Sequence, residues 1–169
     1  VLTAFVDLTA AYDSILRKKL WDHLEKIATP PYLLKAMACT MEVYMLIDGD
    51  KTSDAVTPNK GVKQGCPLSP QLFSLYIHDK DKFLDTDTRG AITTFATNKF
   101  SHCEYADDIL MVPNSAEHLQ CQLNKLYAYT RAKGLTVNTQ KTKILRFFSA
   151  GSTSLPPFTY NGVPLEVVT

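Results

Sequence analysis

Cys103-Glu104-Tyr105-Ala106-Asp107-Asp108-Ile109-Leu110-Met111-Val112 sets two adjacent carboxylates between two strand-like runs. The pair is expected at the tip of a tight β-hairpin. An Asp-rich turn accounts for the dipeptide when it is taken alone. Like charges so close repel and push one pKa up unless a cation compensates. A third carboxylate alters the weighing. Val1 to Leu8 is an apolar run broken only by Thr3 and Asp7, as expected of a buried strand. An unpaired, ionised carboxylate in a dry interior costs on the order of several kcal/mol. Asp7 therefore either lies at the exposed C-terminal end of its strand or belongs to a site. A strand-end carboxylate beside a hairpin-tip pair forms an all-oxygen cluster of the kind hard divalent cations favour. Two such ions about 4 Å apart stabilise both the attacking and the leaving oxygens of a phosphoryl transfer.

Outward from these acids, strands and helices mix without βαβ alternation. From Asp13 the period becomes helical, with Leu16, Leu20, Leu24 and Ile27 on one face and Pro30-Pro31 as the stop. A second helix is expected from Tyr32 towards Thr40. Gly49-Asp50 suggests a hairpin between Glu42–Asp48 and Thr52–Thr57. Gly61 to Pro70 reads as a loop, with Ser69 as N-cap and Pro70 at the first helical position of a helix carrying Leu72, Phe73, Tyr76, Ile77 and Phe83. That helix dissolves in the polar stretch from Asp85 to Gly90. Asn114 and Glu117 form a capping box for a helix that buries Ala116, Leu119, Leu123 and Leu126 and stops at Gly134. Strands are expected at Leu135–Val137 and Lys143–Phe148, and Tyr160-Asn161-Gly162-Val163 is a hairpin signal. The pattern points to an α+β fold: an antiparallel sheet with helices packed on one face.

Composition narrows the class. The 169 residues are 45% hydrophobic and 21% charged, with 18 Lys+Arg against 17 Asp+Glu. This is one domain's length and a globular composition, not a disordered or collagenous one. A net charge of +1 gives no overall basic footprint for nucleic acid. No apolar run approaches the roughly 18 residues of a membrane span, and the N-terminus lacks the features of a signal peptide. Cys39, Cys66, Cys103 and Cys121 lack metal-site spacing and are expected to be reduced and mostly buried. His102 beside Cys103 is an isolated pair.

Phe5-Val6-Asp7-Leu8-Thr9-Ala10-Ala11-Tyr12-Asp13, Gly61-Val62-Lys63-Gln64-Gly65-Cys66-Pro67-Leu68-Ser69-Pro70 and Tyr105-Ala106-Asp107-Asp108 resemble motifs A, B and C of the reverse transcriptase palm. Gly134-Leu135-Thr136-Val137-Asn138-Thr139-Gln140-Lys141-Thr142-Lys143 resembles motif D. Phe158-Thr159-Tyr160-Asn161-Gly162 resembles the hairpin that follows, motif E. The Cys-Pro-Leu-Ser-Pro ending of motif B is similar to non-LTR (LINE-type) retrotransposons. The resemblance implies a polymerase palm with a ferredoxin-like core over residues 1–169, with fingers and thumb outside this stretch. It implies that Asp7 and Asp107 are the principal metal ligands, supported by Asp108, for two Mg²⁺ ions with Mn²⁺ as a substitute. Tyr12 matches the aromatic gate under the incoming sugar, and Leu8 joins the substrate-contacting positions. Gln64 and Gly65 match the loop lining the nucleotide and template side. Lys141 matches the lysine that protonates the leaving pyrophosphate, although Lys143 registers equally well.

The implied activity is RNA-directed DNA synthesis: dNTPs added to a DNA primer 3′-hydroxyl on an RNA template, in the nucleus or cytoplasm and away from membranes. The chain alone, lacking fingers and thumb, is expected to be nearly inactive. Three other readings use the same residues: a non-catalytic domesticated palm serving as a scaffold, a group II intron or retron type of reverse transcriptase, and a nucleotidyl cyclase palm. Clustered acids argue against the scaffold, and the Gln64-Gly65 loop against the cyclase.

Overall fold

The computed structural model describes residues 2–38, 44–84, 92–93, 99–100, 102–147 and 155–168. In chain order the elements begin with β1 (Leu2–Val6), α1 (Ala11–Ser14), α2 (Arg17–Lys26), α3 (Pro31–Ala38), β2 (Ile47–Asp48) and β3 (Lys51–Thr52). Next come α4 (Ser69–Ile77), α5 (Lys80–Leu84), β4 (Ile92–Thr93), β5 (Lys99–Phe100), β6 (His102–Tyr105) and β7 (Asp108–Met111). The last are α6 (Ala116–Lys133), β8 (Lys143–Arg146), β9 (Thr159–Tyr160), β10 (Val163–Pro164) and β11 (Glu166–Val168). Among the described residues no helix is long and apolar enough to cross a membrane. The chain forms two compact units, residues 1–9 with 79–169, and residues 10–78.

The first unit is built on a five-stranded sheet in the order β11-β8-β1-β7-β6. Ala4 faces Met111 and Ile144 across the ladders, and Val6 faces Ile109, so these five side chains share one face. All are buried, and α6 packs against β1 with Leu119, Leu123 and Leu126 fully enclosed. Truncating any of these three leucines to Ala is worth about 2–5 kcal/mol in a site that cannot collapse. Phe5 and its cross-strand partners Leu110 and Lys143 belong to the opposite, more open face, where Phe5 is 48% exposed. This matches the α+β expectation, with one correction: β11 pairs parallel to β8. The β9–β10 hairpin separates β8 from β11 in sequence, so the chain returns to the edge running in the direction of β8.

Fully buried Lys80 at the start of α5 pairs with Glu104 on β6, while Asp81 meets the His102 imidazole at 2.9 Å. Asp79, just before α5, accepts from the Tyr129 hydroxyl at 2.7 Å and pairs with Lys133 at 2.8 Å, both on α6. Three consecutive charged residues thereby tie the motif C hairpin and α6 together.

The second unit packs α2 and α1 against α4 through Leu20, Leu24, Leu72, Phe73 and Ile77. The helix expected from Asp13 is interrupted at Ile15–Leu16, and it ends at Lys26 rather than at the prolines. Ala28 with φ 56 closes it, leaving Ile27 48% exposed. The β2–β3 hairpin turns at Gly49-Asp50 as expected.

Several local expectations shift. Ser69 is the first residue of α4 rather than its cap, and its hydroxyl donates to the Lys63 carbonyl. Ser115, not Asn114, caps α6: its hydroxyl accepts from the His118 N–H at 3.2 Å. Leu135–Val137 forms only a bridge, Val137 to Leu8. Of the described cysteines, Cys66 is half-buried while Cys103 and Cys121 are exposed, against the expectation of mostly buried thiols. Cys103 lies on the open sheet face, opposite Leu110, and Cys121 on the solvent side of α6. Cys39 and Asp85 to Gly90 lie outside the described residues.

Candidate active site

β1 ends at Val6, so Asp7 is the first residue beyond the strand, with its side chain 33% exposed. This is the exposed strand end, one of the two expected placements. Its N–H donates to Thr142 Oγ1 at 3.2 Å, and its carbonyl accepts from the Asn138 N–H at 2.8 Å. Leu8 follows, buried and bridged to Val137, with the Thr9 N–H donating to the Thr136 carbonyl at 2.8 Å. The side chain of Leu8 thus belongs to the core.

Asn138 organises the facing loop. Its Oδ1 accepts from the Gln140 and Lys141 N–H groups at 3.1 and 3.2 Å, and its carbonyl accepts from the Thr142 N–H at 2.9 Å. This Asx turn brings Lys141 Nζ to 4.0 Å from Asp7 Oδ1 while leaving the lysine 70% exposed. Lys143 is instead paired with Glu166, its partner across the β8–β11 ladder.

The motif C hairpin separates its two acids. Tyr105 pairs with Asp108, so Ala106 and Asp107 form the turn and Asp108 opens β7. Ala106 takes φ 55, the strained hand for a residue with a Cβ, which lets two residues close the hairpin. A cavity of about 430 Å³ opens on this side of the sheet, with Asp7, Asp108 and Lys141 among its polar lining and Phe5, Tyr105 and Leu110 among its apolar lining. Asp107 stands beside it on the turn, half-buried and outside that lining. Among the described residues no three His, Cys, Asp or Glu side chains converge as a ready metal cage. The donor set is nevertheless all oxygen and reachable from solvent, the chemistry Mg²⁺ takes when it keeps part of its water shell.

The second unit holds the other expected positions. The Tyr12 ring lies 5.3 Å from that of Phe73, inclined by 41°, and its carbonyl accepts from the Val62 N–H at 3.1 Å. Gln64 Nε2 donates to both carboxylate oxygens of Asp13 at 3.0 Å. Gly65 has φ +77 with nothing within 4 Å of where a Cβ would stand. Arg17 was hidden in the run Arg17-Lys18-Lys19, which reads as a solvated face, yet it is only 7% exposed. Asn138 and Thr142 lay inside motif D without an assigned role. Asn three residues before a lysine was the available sign of an Asx turn.

The sequence model of the family "Reverse transcriptase (RNA-dependent DNA polymerase)" matches residues 2–165. The chain belongs to that family. It is similar to the Retrovirus-related Pol polyprotein from type-1 retrotransposable element R2 of Popillia japonica, 30% identical over 111 residues, covering 66% of this chain and 18% of that protein. It is also 29% identical over 140 residues to the corresponding polyprotein of type-2 element R2DM of Drosophila melanogaster, covering 82% of this chain and 13% of that protein. An uncharacterized 149 kDa protein of transposon TX1 from Xenopus laevis is 27% identical, covering 90% of this chain and 12% of that protein. These relatives accord with the non-LTR character of motif B. The chain thus spans less than a fifth of the length of these relatives. In fold it is similar to an apo telomerase from Candida tropicalis truncated from its C-terminal domain: TM-score 0.61, 17% identity, 96% of this chain and 33% of that one.

Proposed function

We propose that residues 1–169 are the catalytic palm of an RNA-directed DNA polymerase, with a ferredoxin-like core, that adds dNTPs to a DNA primer on an RNA template. The observation that carries the reading is the cavity on the open sheet face, where the strand-end Asp7, the hairpin residue Asp108 and the Lys141 ammonium converge. The motif resemblance makes Asp7 and Asp107 the residues that would hold two Mg²⁺ ions, with Asp108, which itself lines the cavity, in support. Such ions, when bound, supply activation of the primer 3′-hydroxyl and neutralise triphosphate charge.

The remaining roles fall to the protein's own groups. The Asn138 turn holds the Lys141 ammonium beside Asp7, where it donates a proton to the departing pyrophosphate. Tyr12 excludes a ribose 2′-hydroxyl by volume. Gln64 and Gly65, on the loop fixed to Asp13, line the nucleotide and template side, and Leu8 contributes its main chain as a substrate-contacting position. Fingers and thumb would come from other parts of a longer protein, so the chain alone positions primer and template poorly and extends them little.

The test is primer extension by a protein carrying this palm with its flanking domains. Asp7→Asn or Asp107→Asn should abolish dNTP incorporation while template binding and thermal stability stay near normal, because losing one carboxylate relieves repulsion. Robust synthesis by the Asp107→Asn protein would overturn the assignment.

A further inference from the structure

Lys80 lies outside all five motifs, yet its ammonium is fully buried and paired with Glu104, whose side chain keeps 36% of its area in solvent. A lysine is almost never enclosed unless it is paired, because its ammonium gives up its hydration. Replacing such a pair by apolar groups of like volume often leaves stability unchanged or higher. Core stability alone therefore does not call for an ion pair at this place.

Its location supplies a reason. β6 is an edge of the five-stranded sheet, and among the described residues its only ladder partner is β7. Side chains of α5 add the restraint that a further strand would give. Glu104 and His102, two residues apart, share one face of β6. Consecutive residues of α5 hold them, Lys80 taking Glu104 and Asp81 meeting the His102 ring at 2.9 Å. Asp79 secures the start of α5 to Tyr129 and Lys133 of α6 at 2.7 and 2.8 Å. The Lys80–Glu104 link is the one nearest the turn, since Tyr105 alone separates Glu104 from Ala106-Asp107. Glu104 also lines the cavity shared by Asp7, Asp108 and Lys141. Asp7 follows β1, on the far side of β7 from β6, so the placement of the Asp107 turn relative to Asp7 depends on how β6 is held. We infer that Lys80 is a positioning residue: through Glu104 it sets the position of the Asp107 turn against Asp7, and with it the affinity of the site for Mg²⁺. The inference rests on the palm reading and deepens it.

The test titrates the chain with MgCl₂ at constant ionic strength, following the amide resonances of Asp7, Asp107 and Asp108, beside a urea midpoint for each variant. Lys80→Met should raise the Mg²⁺ midpoint by roughly threefold to tenfold, at or below the low end of losses seen when a ligand's direct partner is removed. Charge alone predicts the reverse, because taking away an ammonium near the site favours a bound cation. In Lys80→Met/Glu104→Leu the urea midpoint should return towards that of the parent, since both charges of the pair are gone. The Mg²⁺ midpoint should stay raised, a combination that a merely structural role would not give. Should Lys80→Met fail to fold, the double variant carries the test. A Mg²⁺ midpoint equal to the parent's in the double variant, with the response abolished in Asp107→Asn, would overturn the inference alone. A Mg²⁺ response that Asp107→Asn leaves intact would overturn the palm reading and this inference with it.

Discussion

The Lys141 ammonium stands 4.0 Å from the Asp7 carboxylate, whereas Lys143, two residues on, is spent on Glu166. The start of the strand explains the split, because Lys141 precedes it and escapes its alternation. Lys143 is already in β8 and faces its ladder partner, while Lys141 is still in the Asn138 turn and projects beside the end of β1.

From this follows a paired test of the leaving-group proton donor. In an enzyme carrying this palm, Lys141→Gln should lower the rate of single-turnover dNTP incorporation by about 10²-fold, the lower end of general-acid contributions. Lys143→Gln should leave that rate within about twofold, since it removes only a partly exposed ion pair. Equal losses in the two variants would remove Lys141 from the mechanism.

On the proposed reading the Tyr12 ring has two roles, gating the sugar and packing on Phe73. Tyr12→Val should raise rNTP use relative to dNTP by roughly one to two orders of magnitude, about 1.4 to 2.8 kcal/mol of lost steric discrimination. It should also lower stability by about 0.5–1.5 kcal/mol through the lost ring contact with Phe73. Tyr12→Phe should leave the nucleotide ratio almost unchanged if ring volume, and not the phenol oxygen, does the excluding. The measurements are kcat/KM for matched rNTP and dNTP and the urea midpoint. Equal loss on both nucleotides would make Tyr12 a packing residue only.

Two glycines of the motif B loop share a left-handed backbone but not their surroundings. Gly61→Ala places a Cβ against the Asp13 main chain, whereas Gly65→Ala points into open space. Gly65→Ala should cost about 1 kcal/mol from the backbone alone. Gly61→Ala should cost more, about 2–4 kcal/mol, because backbone must move. Chemical denaturation of the two variants reads the difference, and equal costs would contradict the close approach.

Tyr160 reports on alkaline stability. Burial pushes its phenol above the ordinary value of 10.0, offset in part by its hydrogen bond with Thr130 at 2.7 Å. The unfolded chain therefore loses this proton more easily than the folded one. The associated stability is complete below about pH 10 and falls as pH rises past it. Tyr160→Phe should be less stable than the parent at about pH 8, with the gap narrowing above about pH 10. A gap that widens with pH would reverse the sign and refute the burial argument.

Much of the architecture was legible in local patterns. The Asn161-Gly162 hairpin forms as its dipeptide demands, with φ 51 and 75, and Gly134 ends α6 at φ 74. The buried stripe Leu119, Leu123, Leu126 followed from 3.6-residue spacing. The position of the Asp107-Asp108 hairpin followed from two apolar runs meeting at a turn. These features depend on backbone preferences and periodicity within a few residues, so they can be read without knowing what lies across the chain.

What spans distance could not be read that way. The parallel β8–β11 edge, the pairing of Lys80 with Glu104 and the placement of Lys141 beside Asp7 each join residues far apart in sequence. The burial of Arg17 is of the same kind: its sequence neighbours are solvated lysines, and only the folding of the Gly61 loop against it takes the guanidinium out of water. Local propensity is a sum of nearest-neighbour effects, whereas register, burial and charge pairing depend on which surfaces meet. Those meetings are fixed by the hydrophobic core as a whole.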